Sequence, residues 1–284
     1  MLPVLRFARH FTLIITVLLF VEVIKIPFAP PPIVAQRDIG FGDHERQCMD
    51  IYYPRRAKKM KKSVGVFLFI HGGSWIAGNK EDHSYFAIPM AKEGYVTAAA
   101  NYRYRPRFND AGEVTTEGFS TAEMMEDIGL AIAKLKETAA ADGIELGSIA
   151  LFGDSAGAHL ALLYAYAYQN VPGNEPALPI SFVVARVAPT DVNFDADVEG
   201  VFDSNILRAV TADAPPTVFC YQKNDELVDF ERHALPMKAK LIEYGVPFEW
   251  VEFEYGGHAM LDVRELGHHK TAYDKIFAYA DKYF

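Results

Sequence analysis

The sequence has 284 residues, of which 50% are hydrophobic, so it is long enough to bury one large core, and a single folded domain is the simplest arrangement. Its formal net charge of −9 argues against a nucleic-acid partner, because no basic face is evident. The two cysteines, Cys48 and Cys220, each lie in a predicted strand, which favours free, mostly buried thiols over a disulfide framework or a Cys-x-x-Cys metal or redox site.

Residues 1–32 carry the pattern of an export signal and do not continue into the folded domain. Arg6 and Arg9 precede an apolar run at residues 11–21, and a proline-rich stretch follows it. This order is typical of a secretory signal peptide or an uncleaved N-terminal anchor, although the run is shorter than the ~20 residues of a spanning helix. We therefore predict that this segment associates with a membrane or is removed. The domain at residues 33–284 would then lie outside the cytoplasm, periplasmic or secreted if the segment is cleaved.

From residue 33 onward the sequence alternates between strand-like and helix-like segments. Apolar or alternating runs predict strands at residues 33–39, 47–53, 63–70, 95–101, 148–152, 181–187, 217–221 and 248–253. Helical spacing of apolar residues predicts helices at residues 84–93, 120–141, 158–168 and 231–244, and one more at the C-terminus. This alternation predicts an α/β fold with a mostly parallel central sheet and helices on both faces.

Local signals refine this pattern at several boundaries. Ser120 and Glu123 form a capping box that begins the second helix. Pro236 falls inside the fourth predicted helix and either kinks it or marks its true start. Residues 105–118 are predicted to be a loop long enough to contribute to a binding site. Residues 191–214 are predicted to be irregular and leave little room for a large cap over the sheet.

A Gly-x-Ser-x-Gly motif, formed by Gly153, Ser155 and Gly157, lies between a predicted strand and a predicted helix. A serine on a sharp turn at the end of a strand needs small neighbours, because the adjacent backbone comes close on both sides. Its hydroxyl then stands clear of the sheet, and the amide of Ala156 points to where an oxyanion would form. By itself the motif is equally compatible with an ordinary strand-to-helix turn.

A second glycine-rich turn, His71-Gly72-Gly73-Ser74-Trp75, follows the strand that ends at residue 70. Two successive glycines leave bare backbone, so the amides of Gly72 and Gly73 are free to donate to a tetrahedral acyl-transfer intermediate. Open α/β sheets place their sites at such strand ends. We interpret His71 as a structural hydrogen-bonding residue that holds this loop and not as a general base.

A nucleophilic serine needs a general base, and the base needs an orienting carboxylate. His258 fits the base, because it follows the last strand on a flexible Gly-Gly turn. Four other histidines follow Ser155: two lie in predicted helices and two are predicted to be on the surface (His159, His233, His268 and His269). Asp225 is the preferred acid because it follows the strand at residues 217–221. Three alternatives stay open, namely Glu226, Asp229 and, as the most serious rival, Asp191.

With these residues the chain resembles the α/β-hydrolase carboxylesterase/lipase family, in the group of bacterial feruloyl/acetyl esterase-like and hormone-sensitive-lipase-like enzymes. The resemblance covers residues 37–284. The motifs that carry it are His71-Gly72-Gly73, Asn101-Tyr102-Arg103, Gly153-Asp154-Ser155-Ala156-Gly157, Asp225-x-x-Val228 and Gly257-His258. Ser74 stands where many members have a third glycine, which favours the small carboxylesterases over the hormone-sensitive-lipase subgroup.

The resemblance implies an α/β-hydrolase fold with a minimal cap. It also implies a catalytic triad of Ser155, Asp225 and His258, and an oxyanion hole formed by Gly72, Gly73 and Ala156. The implied activity is that of a serine hydrolase that acts on small or medium carboxylic esters through an acyl-enzyme, with no metal or organic cofactor. Two other functions stay open: an arylformamidase-like amide hydrolase, and a catalytically silent hydrolase fold used for binding.

Overall fold

The central feature of the fold is an eight-stranded sheet. The computed structural model describes residues 33–57, 64–109, 111–194, 203–258 and 268–284. The strands of the described chain, including two outside this sheet, are β1 (Ile33–Gly40), β2 (Cys48–Pro54), β3 (Val64–Ile70), β4 (Val96–Ala100), β5 (Arg107–Phe108), β6 (Val114–Thr116), β7 (Leu146–Asp154), β8 (Ile180–Arg186), β9 (Thr217–Gln222) and β10 (Phe248–Phe253). The sheet order is β1-β2-β4-β3-β7-β8-β9-β10, and β5 pairs with β6 in a separate hairpin.

Six neighbouring strands of the sheet are parallel, from β4 through β3, β7, β8 and β9 to β10. The first two strands run antiparallel, β1 to β2 and β2 to β4. The structure therefore confirms the prediction of a mostly parallel sheet. A parallel arrangement brings the carboxyl ends of β3, β7, β8, β9 and β10 to one edge, where a site can be assembled from several loops.

Helices cover both faces of the sheet. They are α1 (Ser84–Glu93), α2 (Thr121–Ala141), α3 (Ala156–Tyr166), α4 (Ile206–Ala209), α5 (Leu235–Tyr244) and α6 (His268–Tyr283). The β3 side chains alternate between the two faces: Phe67 and Phe69 pack in one hydrophobic cluster with α1 and α6, while Val66 and Leu68 pack in the other with α2, α3 and α5. Because β3 is buried on both sides, its sequence is continuously apolar. Each such side chain contributes ~1.5–3 kcal/mol of burial free energy.

The helix boundaries follow from local chemistry. Ser120 and Glu123 form the reciprocal capping box that the sequence predicts at the start of α2. Gly245 ends α5 in a left-handed conformation with φ 66°. Pro236 marks the true start of α5 and does not kink it, since a π-helical turn at Phe230–Ala234 precedes Leu235. Proline has no amide hydrogen to bond the preceding turn, and a regular α-helix therefore restarts around it.

Two segments predicted to be irregular contain short elements. Residues 105–118 include the β5–β6 hairpin, in which Phe108 pairs with Val114. Residues 191–214 include α4, whose N-cap Asn205 accepts a hydrogen bond from the Leu207 amide, while residues 195–202 lie outside the described part of the chain. Elements of two to four residues are too short to show a period in the sequence, and for this reason the sequence pattern did not reveal them.

The described elements all belong to one compact unit, Ile33–Phe284. Both cysteines are free thiols, Cys220 buried and Cys48 partly buried. The signal or anchor predicted at residues 1–32 lies outside the described residues. Of the helices that the structure describes, none has both the length and the apolar character that crossing a membrane requires.

Candidate active site

Loops from five parallel strands meet at the carboxyl edge of the sheet and enclose a cleft of about 270 Å³. The described residues that line it are Gly72, Gly73, Ser74, Asp154, Ser155, Arg186, Val187, Leu227 and His258. The sequence motifs after β3, β7 and β10, which are far apart in the printed sequence, thus converge on one cavity. Asp225, after β9, lies directly behind this cavity against His258.

Ser155 lies at the sharp turn between β7 and α3. Its backbone has φ 52° and ψ −119°, a strained conformation that non-glycine residues rarely adopt. A Cβ at Gly157 would overlap the carbonyl oxygen of Ile70, and one at Gly153 would overlap the Gly157 backbone. The two glycines of the motif are therefore required by close backbone approach, and the turn holds the Ser155 hydroxyl at the cleft.

Ser155, His258 and Asp225 form a hydrogen-bonded chain. The Ser155 Oγ lies 2.8 Å from His258 Nε2, and His258 Nδ1 lies 3.0 and 2.9 Å from the two carboxylate oxygens of Asp225. An ionised carboxylate only accepts, so His258 Nδ1 carries the hydrogen and donates. His258 Nε2 is then an acceptor, and the serine hydroxyl donates to it. The arrangement can move a proton from Ser155 to the imidazole.

The side chain of Asp225 is buried and is held as a carboxylate by several hydrogen-bond donors. Its side chain is 1% exposed, and its Oδ1 also accepts hydrogen bonds from the amides of Leu227 (2.9 Å) and Val228 (2.8 Å). Burial alone would raise the pKa of Asp225, but the hydrogen bonds from His258 and from these two amides outweigh burial and hold the pKa below its ordinary value. Asp225 therefore remains an acceptor for His258 at neutral pH.

The three alternative acids point to other partners. Asp191 accepts hydrogen bonds from Arg232 Nε (3.0 Å) and Asn205 Nδ2 (2.8 Å). Asp229 caps the π-helical turn by accepting from the Arg232 amide, 2.7 Å away. Glu226 accepts from the backbone amide of His258 at 3.1 Å and so helps to hold the histidine loop. Among the described residues, Asp225 is the carboxylate hydrogen-bonded to the His258 ring.

The histidines of the helices are occupied elsewhere. His159 is fully buried, and its Nε2 lies 2.8 Å from the Ser204 carbonyl oxygen. Burial lowers the pKa of His159 to about 4. His233 accepts a hydrogen bond at Nδ1 from the Asp191 amide, 3.1 Å away. The side chains of His268 and His269, predicted to be on the surface, lie outside the described residues.

Of the three residues proposed as oxyanion donors, Gly72 and Gly73 line the cleft, and Ala156 directly follows its lining residue Ser155. Gly73 has φ 109°, and a Cβ there would overlap the Ala77 carbonyl oxygen, which explains the need for glycine. Among the backbone hydrogen bonds of the described residues, none engages the amide of Gly72 or Gly73. Ala156 is the first residue of α3, where amides have no intrahelical partner. These three amides are therefore available to a substrate oxygen.

Sequence reasoning missed several residues that line the cleft. Arg186 is buried at the end of β8, pairs with Asp154 Oδ2 at 3.1 Å and lies over the Phe86 ring at 4.5 Å. Val187 follows it with φ 43°, an unusual conformation for a β-branched residue. Leu227 is 68% exposed at the mouth. The position of Arg186 and Val187 at the carboxyl end of a predicted strand was the signal that could have identified them.

The described residues contain no group of three or more His, Cys, Asp or Glu side chains that could hold a metal ion. The polar groups of the described cleft are hydroxyls, backbone amides, one imidazole, and Arg186 paired with the Asp154 carboxylate. Such a set is suited to acyl transfer through a serine nucleophile.

Comparison with known proteins identifies relatives of this chain. A family model described as BD-FAE matches residues 49–203, slightly more than half of the chain. A probable isoprenylcysteine alpha-carbonyl methylesterase of Oryza sativa subsp. japonica is 33% identical over 125 residues, 44% of this chain and 27% of that protein. A kynurenine formamidase of Salmo salar is 25% identical over 150 residues, 53% of this chain and 45% of that protein. The chain thus spans about half or less of the length of these relatives.

Solved structures share the fold. An inhibited esterase B from Lactobacillus rhamnosis superimposes with a TM-score of 0.70 at 18% sequence identity, covering 89% of this chain and 88% of that chain. At this identity the likeness shows the fold alone, and it confirms the α/β-hydrolase architecture that the sequence motifs imply. The catalytic roles assigned to Ser155, Asp225 and His258 stay predictions.

Proposed function

The chain belongs to the BD-FAE family, and from that premise we propose that it is a serine carboxylic ester hydrolase acting on small or medium esters. The observation that carries the proposal is the hydrogen-bonded order Ser155 Oγ, His258 and Asp225 beside a cleft lined by Gly72 and Gly73. A nucleophile, a base and an orienting acid in this order match the requirements of acyl transfer.

In the proposed mechanism, His258 Nε2 takes the hydroxyl proton of Ser155 as its Oγ attacks the acyl carbon. Asp225 keeps the hydrogen on His258 Nδ1 and stabilises the imidazolium that forms. The amides of Gly72, Gly73 and Ala156 donate to the oxyanion of the tetrahedral intermediate, where each donor contributes ~3–4 kcal/mol. His258 then gives its proton to the leaving alcohol, an acyl-enzyme forms at Ser155, and water releases the acid.

The proposed substrate size follows from the cleft. Its volume of about 270 Å³ is slightly below the ~300–1,000 Å³ that is typical of small-molecule sites. Val187 and Arg186, which are both buried, and the exposed Leu227 are among the described residues that line it. A short acyl group fits within this volume, whereas a long chain would exceed it.

A second candidate function is hydrolysis of an aryl formamide, favoured by the kynurenine formamidase relative. The same nucleophile, base and oxyanion donors serve an amide carbonyl, and the two reactions differ in the leaving group, an alcohol from the ester and an amine from the formamide.

We expect p-nitrophenyl acetate and butyrate to be the best substrates in a panel that also contains p-nitrophenyl octanoate, a prenylated cysteine methyl ester and N-formylkynurenine. Their kcat/KM should exceed that of N-formylkynurenine by about tenfold or more, equivalent to ~1.4 kcal/mol in the barrier. The reverse order would assign the chain to amide hydrolysis. Failure to turn over any of them, together with no labelling by a fluorophosphonate, would leave a binding protein.

We also propose that the domain acts outside the cytoplasm, on the basis of the apolar run at residues 11–21 between basic and proline-rich flanks. A chain beginning at Pro32 keeps every described element, because β1 begins at Ile33. We expect that chain to be soluble and active, and the full-length chain to fractionate with membranes or to appear trimmed in the periplasm. Full-length protein found free in the cytosol would contradict export.

A further inference from the structure

The His71 ring is fully buried beside the Gly72–Gly73 turn, and both of its nitrogens are engaged. Its Nδ1 lies 2.7 Å from the Gly72 carbonyl oxygen, and its Nε2 lies 3.1 Å from Nη2 of Arg46. The ring also stacks on Tyr102, with centroids 4.3 Å apart. His71 does not touch the proposed triad, so its effect on the site must pass through the backbone of the turn.

The two partners of His71 determine where its proton lies. A carbonyl oxygen only accepts, so Nδ1 must carry the hydrogen that lies between it and Gly72. A guanidinium only donates, so Nε2 must offer its lone pair to Arg46. The ring is therefore neutral and in the Nδ1–H tautomer. Burial, with a further contribution from the Arg46 charge, lowers the pKa of His71 to about 3 and excludes the imidazolium at neutral pH.

The Gly72 carbonyl and the Gly73 amide belong to one planar peptide group. In a trans peptide the C=O and the N–H point in opposite directions, so holding the oxygen also sets the direction of the hydrogen. The Nδ1–H of His71 holds the oxygen. The Gly73 N–H, which points the opposite way within the same plane, is one of the proposed oxyanion donors at the cleft. In the Nε2–H tautomer, the lone pair of His71 Nδ1 would face a lone pair of the Gly72 carbonyl oxygen at 2.7 Å, and the repulsion would rotate this peptide.

Arg46 is itself fixed on three sides. Its Nε donates to the Tyr102 carbonyl oxygen at 2.8 Å, its Nη2 also donates to the Gly78 carbonyl oxygen at 3.3 Å, and its guanidinium lies 3.7 Å from the centre of the Tyr104 ring. Gly78 ends the same loop that contains Gly72 and Gly73. The guanidinium thus connects the loop that contains Gly72, Gly73 and Gly78 to Tyr102, which follows β4, and directs one N–H at His71.

We propose that Arg46 is a positioning residue of the oxyanion hole, which selects the Nδ1–H tautomer of His71 and thereby orients the Gly73 amide toward the substrate oxygen. The expected effect on kcat rests on the proposed ester hydrolysis. The assignment of the His71 tautomer does not depend on it. Arg46 acts through His71 and touches neither the substrate nor the triad.

The direct test is the ¹⁵N spectrum of histidine-labelled protein, with the His71 signals assigned by comparison with His71→Asn. We expect the wild-type Nδ1 of His71 to be protonated and its Nε2 unprotonated at pH 7. A protonated Nε2 or a charged ring would overturn the proposal without any Arg46 variant. This measurement needs no turnover, so it remains informative even if the chain proves not to be an esterase.

Two Arg46 variants test the consequence. Arg46→Met keeps the apolar stem and removes the donors, while Arg46→Lys keeps a charge and a donor. We expect Arg46→Met to mix the His71 tautomers and to lower kcat on p-nitrophenyl acetate by about tenfold, less than the ~10²–10³ of deleting an oxyanion donor, with KM changed much less. Arg46→Lys should keep most of the Nδ1–H tautomer of His71 and most of the wild-type kcat. The exposed Arg56→Met is the matched control and should change neither.

Three results would overturn the proposal. The first is Arg46→Met with an unchanged tautomer and unchanged kcat. The second is a shifted tautomer with unchanged kcat. The third is a lowered kcat and melting temperature with the tautomer unchanged, which would show that Arg46 supports the loop only as a packing residue. If Arg46→Met does not fold, the wild-type spectrum still tests the tautomer, and Arg46→Leu, which also removes the donors, replaces it in the kinetic comparison.

Discussion

Ser155→Ala is expected to remove ester turnover, by ~10⁴-fold or more in kcat, while leaving the fold intact. The Oγ that alanine lacks is the atom 2.8 Å from His258 Nε2, and no second hydroxyl of the described cleft is bonded to that nitrogen. Alanine keeps the Cβ of serine, so the strained turn with φ 52° is not strained further. The measurement is kcat on p-nitrophenyl acetate, with stoichiometric fluorophosphonate labelling and thermal unfolding on the same samples.

Ser181→Ala is the matched control for this change. Ser181 lies near the start of β8, at the opposite end of the parallel strands from the cleft. Its buried hydroxyl has no hydrogen-bond partner among the described residues, so its loss should alter neither turnover nor labelling. Stoichiometric labelling of Ser155→Ala itself would show that another residue is the nucleophile.

Asp225→Asn is expected to lower kcat by a similar ~10⁴-fold with near-normal stability, the scale known for the equivalent defect in a serine protease triad. The amide nitrogen of asparagine would donate to His258 Nδ1, which would force the hydrogen onto Nε2 and leave no acceptor for the Ser155 proton. The asparagine oxygen can still accept from the Leu227 and Val228 amides that now bond Asp225 Oδ1, so the loop should keep its shape.

The same assay on the rival acids tests the assignment. Glu226→Gln keeps an acceptor for the His258 amide, and Asp229→Asn keeps one for the Arg232 amide. Asp191→Asn loses the ion pair with Arg232, which is partly exposed and contributes little to stability. All three should retain most of the activity. If Asp191→Asn were the variant with the ~10⁴-fold loss, Asp225 would not be the orienting acid.

Much of the fold could be predicted from the sequence because its signals are local. Apolar runs of strand length and helical spacing are set by burial on one or two faces, and the eight sheet strands follow these runs closely. The helix boundaries at Ser120 and Gly245 depend on hydrogen bonds and a backbone angle within one turn. The β5–β6 hairpin and α4 escaped prediction because elements this short carry no measurable period.

The sequence by itself located the Ser155 turn between a strand and a helix and indicated why its glycines are needed. The turn is made by consecutive residues, and the close approach of Gly153 to the Gly157 backbone, four positions away, leaves no room for a side chain. It also narrowed the candidate base to His258, since a histidine on a flexible turn after a strand end can reach a neighbouring loop. These conclusions depend on steric and chemical properties of residues adjacent in the chain.

Only the tertiary structure decided which of the four candidate carboxylates bonds the His258 ring, and only it showed Arg46, Arg186 and Val187 at the site. All four candidate carboxylates follow strands or lie near their ends, and nothing in the order of residues says which carboxylate reaches His258. That choice depends on which strands are neighbours and on the direction in which each side chain leaves its loop. Arg46 reaches His71 across 25 positions of sequence because β1, β2 and β4 fold back along one another, and such through-space distances exist only once the sheet has formed.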